Sequence, residues 1–402
     1  MPTPPARSRR LYFDGAATSH PKPPEVYSAV DAAMRRGGSA GRGSHVRAVA
    51  ATRDVFAART RLAGLLGLPD SQAERVLFTR NCTEALNLAL WGWLGDAPRD
   101  RAPHVLLTSF EHNAVIRPLN ELARRRGITY TIVEVPGEPH SAPIDLARAF
   151  ADAWTDATRL VVMPHASNVT GALFAVEPIA ALCRQRGALL LLDAAQTAGE
   201  ITLDAMDLGA HAIAMSGHKG LLGPQGTGAL WVSPDAPSPE PLIVGGTGSS
   251  GFELTAPDAW PDRYEGGTLN VPALAGLAAG LEWLTWRSIP EVRRHRLKLW
   301  ALLFDGLRAL DATVYGPSSP DATVGVLSFN LPGIGAGTVG TWLDREHGIA
   351  VRTGLHCAPL AHQSLGTELI GTVRLAPGPF TTTEEVRQLL AALAQIRRLS
   401  PA

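Results

Sequence analysis

Cysteine is scarce in this 402-residue chain, which has three. Three thiols cannot all pair with one another and are too few for a disulfide framework. They read as reduced side chains in a reducing compartment, with one of them open to reactivity. An excess of either charge is also missing, since 37 Lys+Arg balance 37 Asp+Glu. Nucleic acid or an anionic membrane as the main partner would need a basic surface excess, so neither is expected. Apolar runs such as Ala188–Leu192 are far too short to span a bilayer. Met1–Arg10 carries charge and proline with no apolar run behind it, unlike a signal peptide. The expectation is a soluble, cytoplasmic protein. No internal repeat or low-complexity tract interrupts the chain, and 45% hydrophobic against 18% charged residues is the composition of a folded globule.

What the chain does have is alternation. Val76–Thr79, Val105–Thr108, Ile128–Val135, Leu160–Met163, Ala188–Asp193 and Ala212–Ser216 are short apolar runs bounded by polar or turn residues, the signature of buried strands. Helical patterns lie between them. Thr83–Trp93 carries Leu86, Leu90 and Trp93 on one face, and Val176–Arg186 carries Ile179, Leu182 and Cys183. Such alternation predicts an α/β fold with a mostly parallel sheet flanked by helices. After about residue 285 the pattern changes to a long basic helix over Glu291–Leu310, strands near Val324–Asn330 and Ile349–Arg352, and a last helix over Thr383–Leu399. The expected organisation is an N-terminal arm (1–24, extended over Leu11–Ala17), a large unit (25–284) and a smaller C-terminal α+β unit (285–402).

The sharpest chemical feature is Ser216-Gly217-His218-Lys219-Gly220, directly after a predicted strand. Read alone, Lys219 is a solvated loop lysine. Asp193 changes that reading, because it ends the run Ala188–Leu192, and a carboxylate at the carboxyl end of a parallel strand faces the crevice where α/β proteins bind ligands. An acid and a lysine at such strand ends suit pyridoxal phosphate. The amine bonds to the cofactor's aldehyde, and the carboxylate keeps the pyridine nitrogen protonated. Burial and nearby cations help such a lysine reach its reactive neutral form. For the phosphate, Asn81-Cys82-Thr83-Glu84 opens a helix whose free N–H groups, with the Thr83 hydroxyl, make an anion site, although Thr83 alone is equally an ordinary cap. Ser216 and His218 could add contacts. His112 follows one predicted strand and could stack on a flat ring or sit on a surface loop. Asn168 follows another and could bond a ring hydroxyl or make a turn. Five strands ending in polar residues that face one crevice are more informative than any one of them. No metal site is expected.

The cysteines separate by context. Cys183 sits on an apolar helix face and reads as core. Cys82 lies in the candidate phosphate loop. Cys357, in Arg352-Thr353-Gly354-Leu355-His356-Cys357-Ala358-Pro359, has an adjacent histidine and a nearby arginine, surroundings that favour a thiolate, although read alone it is equally a bland loop cysteine. Arg374 lies on a predicted strand and could grip a carboxylate bidentately or form a salt bridge.

Together, Tyr12-Phe13-Asp14-Gly15-Ala16-Ala17-Thr18, Asp193-Ala194-Ala195-Gln196, Ser216-Gly217-His218-Lys219, Tyr264-Glu265-Gly266-Gly267-Thr268 and the Arg352–Pro359 segment resemble the class V aminotransferase family. Within it they are most similar to cysteine desulfurases and selenocysteine lyases with a short cysteine loop. The resemblance runs from about residue 11 to 398. It implies a type I pyridoxal-phosphate fold working as a homodimer with sites at the subunit interface. It implies Lys219 holding the cofactor, Asp193 on the pyridine nitrogen, His112 stacked on the ring, and Asn168 and Gln196 on its phenolic oxygen. Thr83, Ser216 and His218 would hold the phosphate, with Cys82 in the same loop and Thr268 reaching in from the partner subunit. Arg374 would bind the substrate carboxylate and Cys357 would be the nucleophile, with Gly43 and His45 near the interface and the substrate. The implied reaction converts L-cysteine to alanine with a persulfide on Cys357, His112 or His356 assisting the thiol, and an unidentified sulfur acceptor. Selenocysteine lyase, a β-eliminating C–S lyase and a catalytically degenerate scaffold are the alternatives. One departure stands out. After Arg374 the family usually has a serine and a Tyr-Asn-Thr run, where this chain reads Leu375-Ala376-Pro377-Gly378-Pro379-Phe380-Thr381.

Overall fold

The structure, a computed structural model, describes residues 10–98, 101–136, 140–248, 252 and 254–399. The first nine residues of the expected N-terminal arm therefore lie outside the described residues. The arm's first described element is strand β1 (Leu11–Tyr12).

Strands β2 (Val76–Thr79), β3 (His104–Thr108), β4 (Thr129–Val133), β5 (Thr158–Pro164), β6 (Leu189–Asp193), β7 (Ala212–Ser216) and β8 (Gly228–Val232) form a sheet in the order β2-β8-β7-β6-β5-β3-β4. The six strands expected from the apolar runs are all present. β8 was not expected. It pairs antiparallel with both β2 and β7, and every other pairing in the sheet is parallel. Side chains alternate between two cores, as strand geometry requires. Leu190, Leu192, Ile213 and Met215 enter one core, and Leu191, Ala212 and Ala214 enter the other. Helices cover both faces. The helix Cys82–Leu94 is capped by Asn81, whose side chain accepts from the Glu84 N–H at 3.0 Å. Thr83 is thus not its cap. The helix Asn113–Arg126 is capped by His112, and the helix Glu177–Arg186 buries Ile179, Ala180 and Cys183.

The helix Val271–Arg287 ends at Ser288, where the left-handed backbone (φ 69°) turns the chain into the long helix Ile289–Arg308. Beyond it lie β9 (Thr313–Tyr315), β10 (Leu327–Asn330), β11 (Ile349–Ala350), β12 (Arg352–Gly354) and β13 (Thr372–Leu375). The single strand expected over Ile349–Arg352 is two. β11 pairs with β1, while β12 joins an antiparallel sheet of order β12-β13-β10-β9. Residue 351 lies between them, so the chain changes sheets there. Leu11 and Phe13 are buried in the C-terminal core with Leu299, Leu303, Phe329 and Leu389. The departure after Arg374 lies where the two halves meet. Phe380 packs on Trp283 with centroids 5.2 Å apart, and the Pro377 carbonyl accepts from Arg296 Nε at 2.9 Å. Arg296 also pairs with Glu200, so this segment fastens the C-terminal half to the sheet. None of residues 375–381 lines the cavity described next.

Candidate active site

The parallel strands all present their carboxyl ends on one edge of the sheet, and a cavity of about 220 Å³ opens there. It is lined by Cys82 and Thr83 after β2, His112 after β3, Asn168 after β5, Asp193 and Gln196 at the end of β6, and Ser216, His218 and Lys219 after β7. Arg352 and Arg374 line it from the C-terminal half, and Ala16 and Ala17 from the N-terminal arm. A cavity of this size suits one small ring and little more.

Burial pushes the Lys219 amine below its ordinary range, against the upward pull of Asp193 and Cys82, with Arg374 and Arg352 pushing it down further. Asp193 accepts from the Ala195 N–H at 2.9 Å and from the Cys82 thiol at 3.5 Å. Burial and the Asp193 charge raise the Cys82 thiol well above its usual value, so it stays protonated and donates. His112 is pushed down to about 4, chiefly by burial and only partly offset by Asp193. Its Nδ1 accepts from the Ala114 N–H at 3.0 Å, which leaves the ring proton on Nε2. Glu111, fully buried behind it, accepts from the Thr108 hydroxyl at 2.8 Å, and burial raises its carboxyl well above the usual carboxylate range. No sequence pattern singled out Glu111.

Three buried polar atoms of cavity-lining residues have no partner in the protein, Asn168 Oδ1, His218 Nδ1 and Arg374 Nε. The Asn168 amide nitrogen donates to the His356 carbonyl at 2.7 Å, and Gln196 Nε2 donates to the Ala16 carbonyl at 3.2 Å. Burial, then Lys219 and Lys22, push His218 down to about 4. Its carbonyl receives the Ser19 N–H at 3.0 Å and the Thr18 hydroxyl at 3.2 Å, which ties the arm to the loop carrying Lys219. Arg374, 1% exposed, donates to the Asn168 carbonyl and to Asp14 Oδ1, each at 2.9 Å.

Cys357 is exposed and stands beside this cavity, not on its wall. Arg352 connects the two, since it lines the cavity and its Nη2 donates to Cys357 Sγ at 3.2 Å. His356 and Cys357 both adopt left-handed backbone (φ 50° and 62°), a sharp turn that side-chain-bearing residues rarely hold. The Cys357 carbonyl is pinned by the Asn113 N–H at 2.8 Å. His356 faces inward. Its Nε2 lies 3.0 Å from the Thr372 hydroxyl, and burial pushes the ring to about 2, so it is neutral. Cys183 is buried in the core with its thiol pushed up to about 12 by burial.

Thr268 and His45 do not reach the cavity within one chain. Thr268 borders a neighbouring opening of about 760 Å³ shared with His218 and Asn81. His45 caps the helix Val46–Leu65 in an exposed segment. The segment before Thr268 is anchored by Glu265, whose carboxylate takes Arg59 in a two-pronged pair at 2.9 and 2.7 Å and the Phe78 N–H at 2.6 Å. Among the described residues no three His, Cys, Asp or Glu side chains group as metal ligands, and no helix is long and apolar enough to cross a membrane.

The aminotransferase class-V family model matches residues 11–389. A probable cysteine desulfurase of Pyrococcus abyssi is 32% identical over 393 residues, covering 96% of this chain and 94% of that one. The apo structure of a cysteine desulfurase from Thermococcus onnurineus superposes with a TM-score of 0.87 at 31% identity, covering 97% of this chain and 95% of that one. A cysteine desulfurase from Escherichia coli, solved as the S-sulfonic acid, gives 0.85 at 26% identity, covering 98% and 96%. Members of this family depend in general on pyridoxal phosphate.

Proposed function

We propose that this chain, which belongs to the class-V aminotransferase family, is a pyridoxal-phosphate-dependent cysteine desulfurase, converting L-cysteine to L-alanine and taking the sulfur as a persulfide on Cys357. The observation that carries the reading is the convergence of Lys219, Asp193, His112 and Arg374 on one cavity, with Arg352 linking that cavity to an exposed thiol. The unpartnered Asn168 Oδ1 and His218 Nδ1 fit a ligand that brings its own polar groups.

Lys219 would hold the cofactor, Asp193 its ring nitrogen, His112 its ring face, and Asn168 and Gln196 its phenolic oxygen. Thr83, Ser216, His218 and the N–H groups at the start of Cys82–Leu94 would hold its phosphate, with Thr268 of the partner subunit. When bound, the cofactor supplies a sink for the electrons left as a substrate proton departs. The chain's own residues do the rest. Arg374 holds the substrate carboxylate. The Lys219 amine, its proton affinity lowered by burial so that more of it is in the neutral form, removes the α-proton and later returns one. The Cys357 thiolate, beside the Arg352 guanidinium, attacks the substrate sulfur. The carbon–sulfur bond breaks with its electron pair left on the β-carbon, which takes up a proton, so the sulfur stays on Cys357 as a persulfide and the carbon skeleton leaves as alanine. In this reading residues 25–284 are the cofactor-binding unit and 285–402 carry the thiol. The enzyme is a cytoplasmic homodimer that needs a reducing environment and passes sulfur to an acceptor protein or small molecule.

The test is Cys357→Ala. The variant should keep the cofactor's visible absorbance and lose both persulfide and alanine production from L-cysteine. Unaltered sulfur release would sink the nucleophile assignment, and pyruvate in place of alanine would mark β-elimination. Parallel assays with L-selenocysteine measure chalcogen preference.

A further inference from the structure

Resting on the reading of Arg374 as the carboxylate grip, we infer that Asp14 is a positioning residue for substrate binding that acts through Arg374. Arg374 is buried and offers five N–H groups in a rigid fork. The Asn168 carbonyl takes one from Nη1 and Asp14 Oδ1 takes one from Nη2, each at 2.9 Å. Nε has no partner in the protein. Two fixed acceptors therefore set the plane of the guanidinium and leave the Nε–H and the remaining terminal hydrogens for a carboxylate.

Asp14 is suited to this because it is itself immobilised. It forms a parallel bridge with Ala376, two residues past Arg374. The flanking bonds are Gly15 N–H to the Ala376 carbonyl at 3.0 Å and Ala376 N–H to the Phe13 carbonyl at 2.7 Å. A Cβ at Gly15 would lie 2.7 Å from that Ala376 oxygen, so only glycine permits the approach. The Tyr12 hydroxyl bonds the carbonyls of Asp14 and Thr18, closing the turn. Asp14 is not on the cavity wall, so it holds the arginine without occupying the substrate's place. It also supplies a counter-charge where Lys219, Arg352 and Arg374 surround a single lining carboxylate, Asp193. An ion pair between the arm and a distant strand thus makes the arm part of substrate recognition.

The experiment compares Asp14→Ala and Asp14→Asn in the cofactor-loaded protein. Two readouts are taken: KM and kcat for L-cysteine, and the Kd of L-alanine from its effect on the cofactor's visible spectrum. Losing a charge-assisted hydrogen bond should raise KM and Kd about tenfold in Asp14→Ala, with kcat nearly unmoved. Asn keeps an acceptor in the same place, so its rise should be about threefold or less. A KM or Kd that stays put or falls in Asp14→Ala overturns the inference, as does a loss confined to kcat. If Asp14→Ala does not fold, Asp14→Asn decides: a rise in KM and Kd of up to about threefold supports the inference, and no rise, or one well beyond threefold, overturns it. A wild type that binds L-alanine without desulfurating L-cysteine refutes the proposed function alone. One that binds neither amino acid refutes both.

Discussion

Glu265→Ala is the most severe test of how the structure holds its site together. Glu265 and Arg59 are side chains of 5% and 7% exposure joined by two hydrogen bonds. Truncating the carboxylate strands the Arg59 charge in the core. Arg59 keeps the Val76 carbonyl and the face of Phe78, with its guanidinium carbon 4.6 Å from the ring centroid. Breaking one side of a buried pair typically costs about 3–5 kcal/mol. The Phe78 N–H also loses its 2.6 Å acceptor, adding about 1–3 kcal/mol if nothing replaces it. The two losses share one carboxylate and will not sum fully, so the expected cost is about 4–6 kcal/mol. Urea unfolding followed by tryptophan fluorescence can read it. Trp260 reports on this segment directly, packed 4.5 Å from Tyr264 and under the Arg75 guanidinium at 4.3 Å. The first unfolding transition should move by that amount. The double variant Arg59→Met, Glu265→Leu, which removes both charges, should recover most of it. A Glu265→Ala cost below about 1 kcal/mol, or a double variant worse than the single one, would refute the claim that this pair anchors the segment leading to Thr268.

Two further outcomes follow from the electrostatics. Burial pushes His165 down to about 4 from 6.5, so between those pH values the unfolded chain binds a proton that the folded chain refuses. Its contribution is fully present above pH 6.5 and is lost as pH falls towards 4, by about 3 kcal/mol at the lower end. The unfolding free energy of His165→Gln should depend less steeply on pH over that window than that of wild type, and equal slopes would refute the burial argument. Arg352→Ala should slow alkylation of Cys357 by iodoacetamide severalfold at pH 7, with Arg352→Lys in between. An unchanged rate would mean that the 3.2 Å contact does not activate the thiol.

Legibility in the sequence followed the range of the interactions. The six strands leading into or beside the site were readable because each is a local apolar run with polar ends, and β2 and β7 keep their expected bounds. β8 was missed because it begins at Gly228, after a stretch with Gly220, Gly223, Pro224 and Gly226 that reads as loop. The break between β11 and β12 was missed because nothing local marks where a chain leaves one sheet for another. Arg352 was noticed only as a neighbour of Cys357, and its place on the cavity wall comes from the pairing of β12 with β13, which sets Arg352 opposite Arg374.

By itself the sequence determined that a lysine, an aspartate and several polar residues stand at the ends of buried strands. Strand ends are set by local hydrophobic patterning, and parallel α/β connections bring such ends to one edge. Only the tertiary structure decided the rest. Asp14 and Arg374 are 360 residues apart in sequence, and Arg59 and Glu265 are 206. Neither pair has a local signature, because partners so far apart in sequence meet only once the chain has folded. The same holds for the three thiols. Their sequence contexts differ, but the packing around them leaves Cys82 and Cys183 buried and protonated and Cys357 alone in reach of solvent.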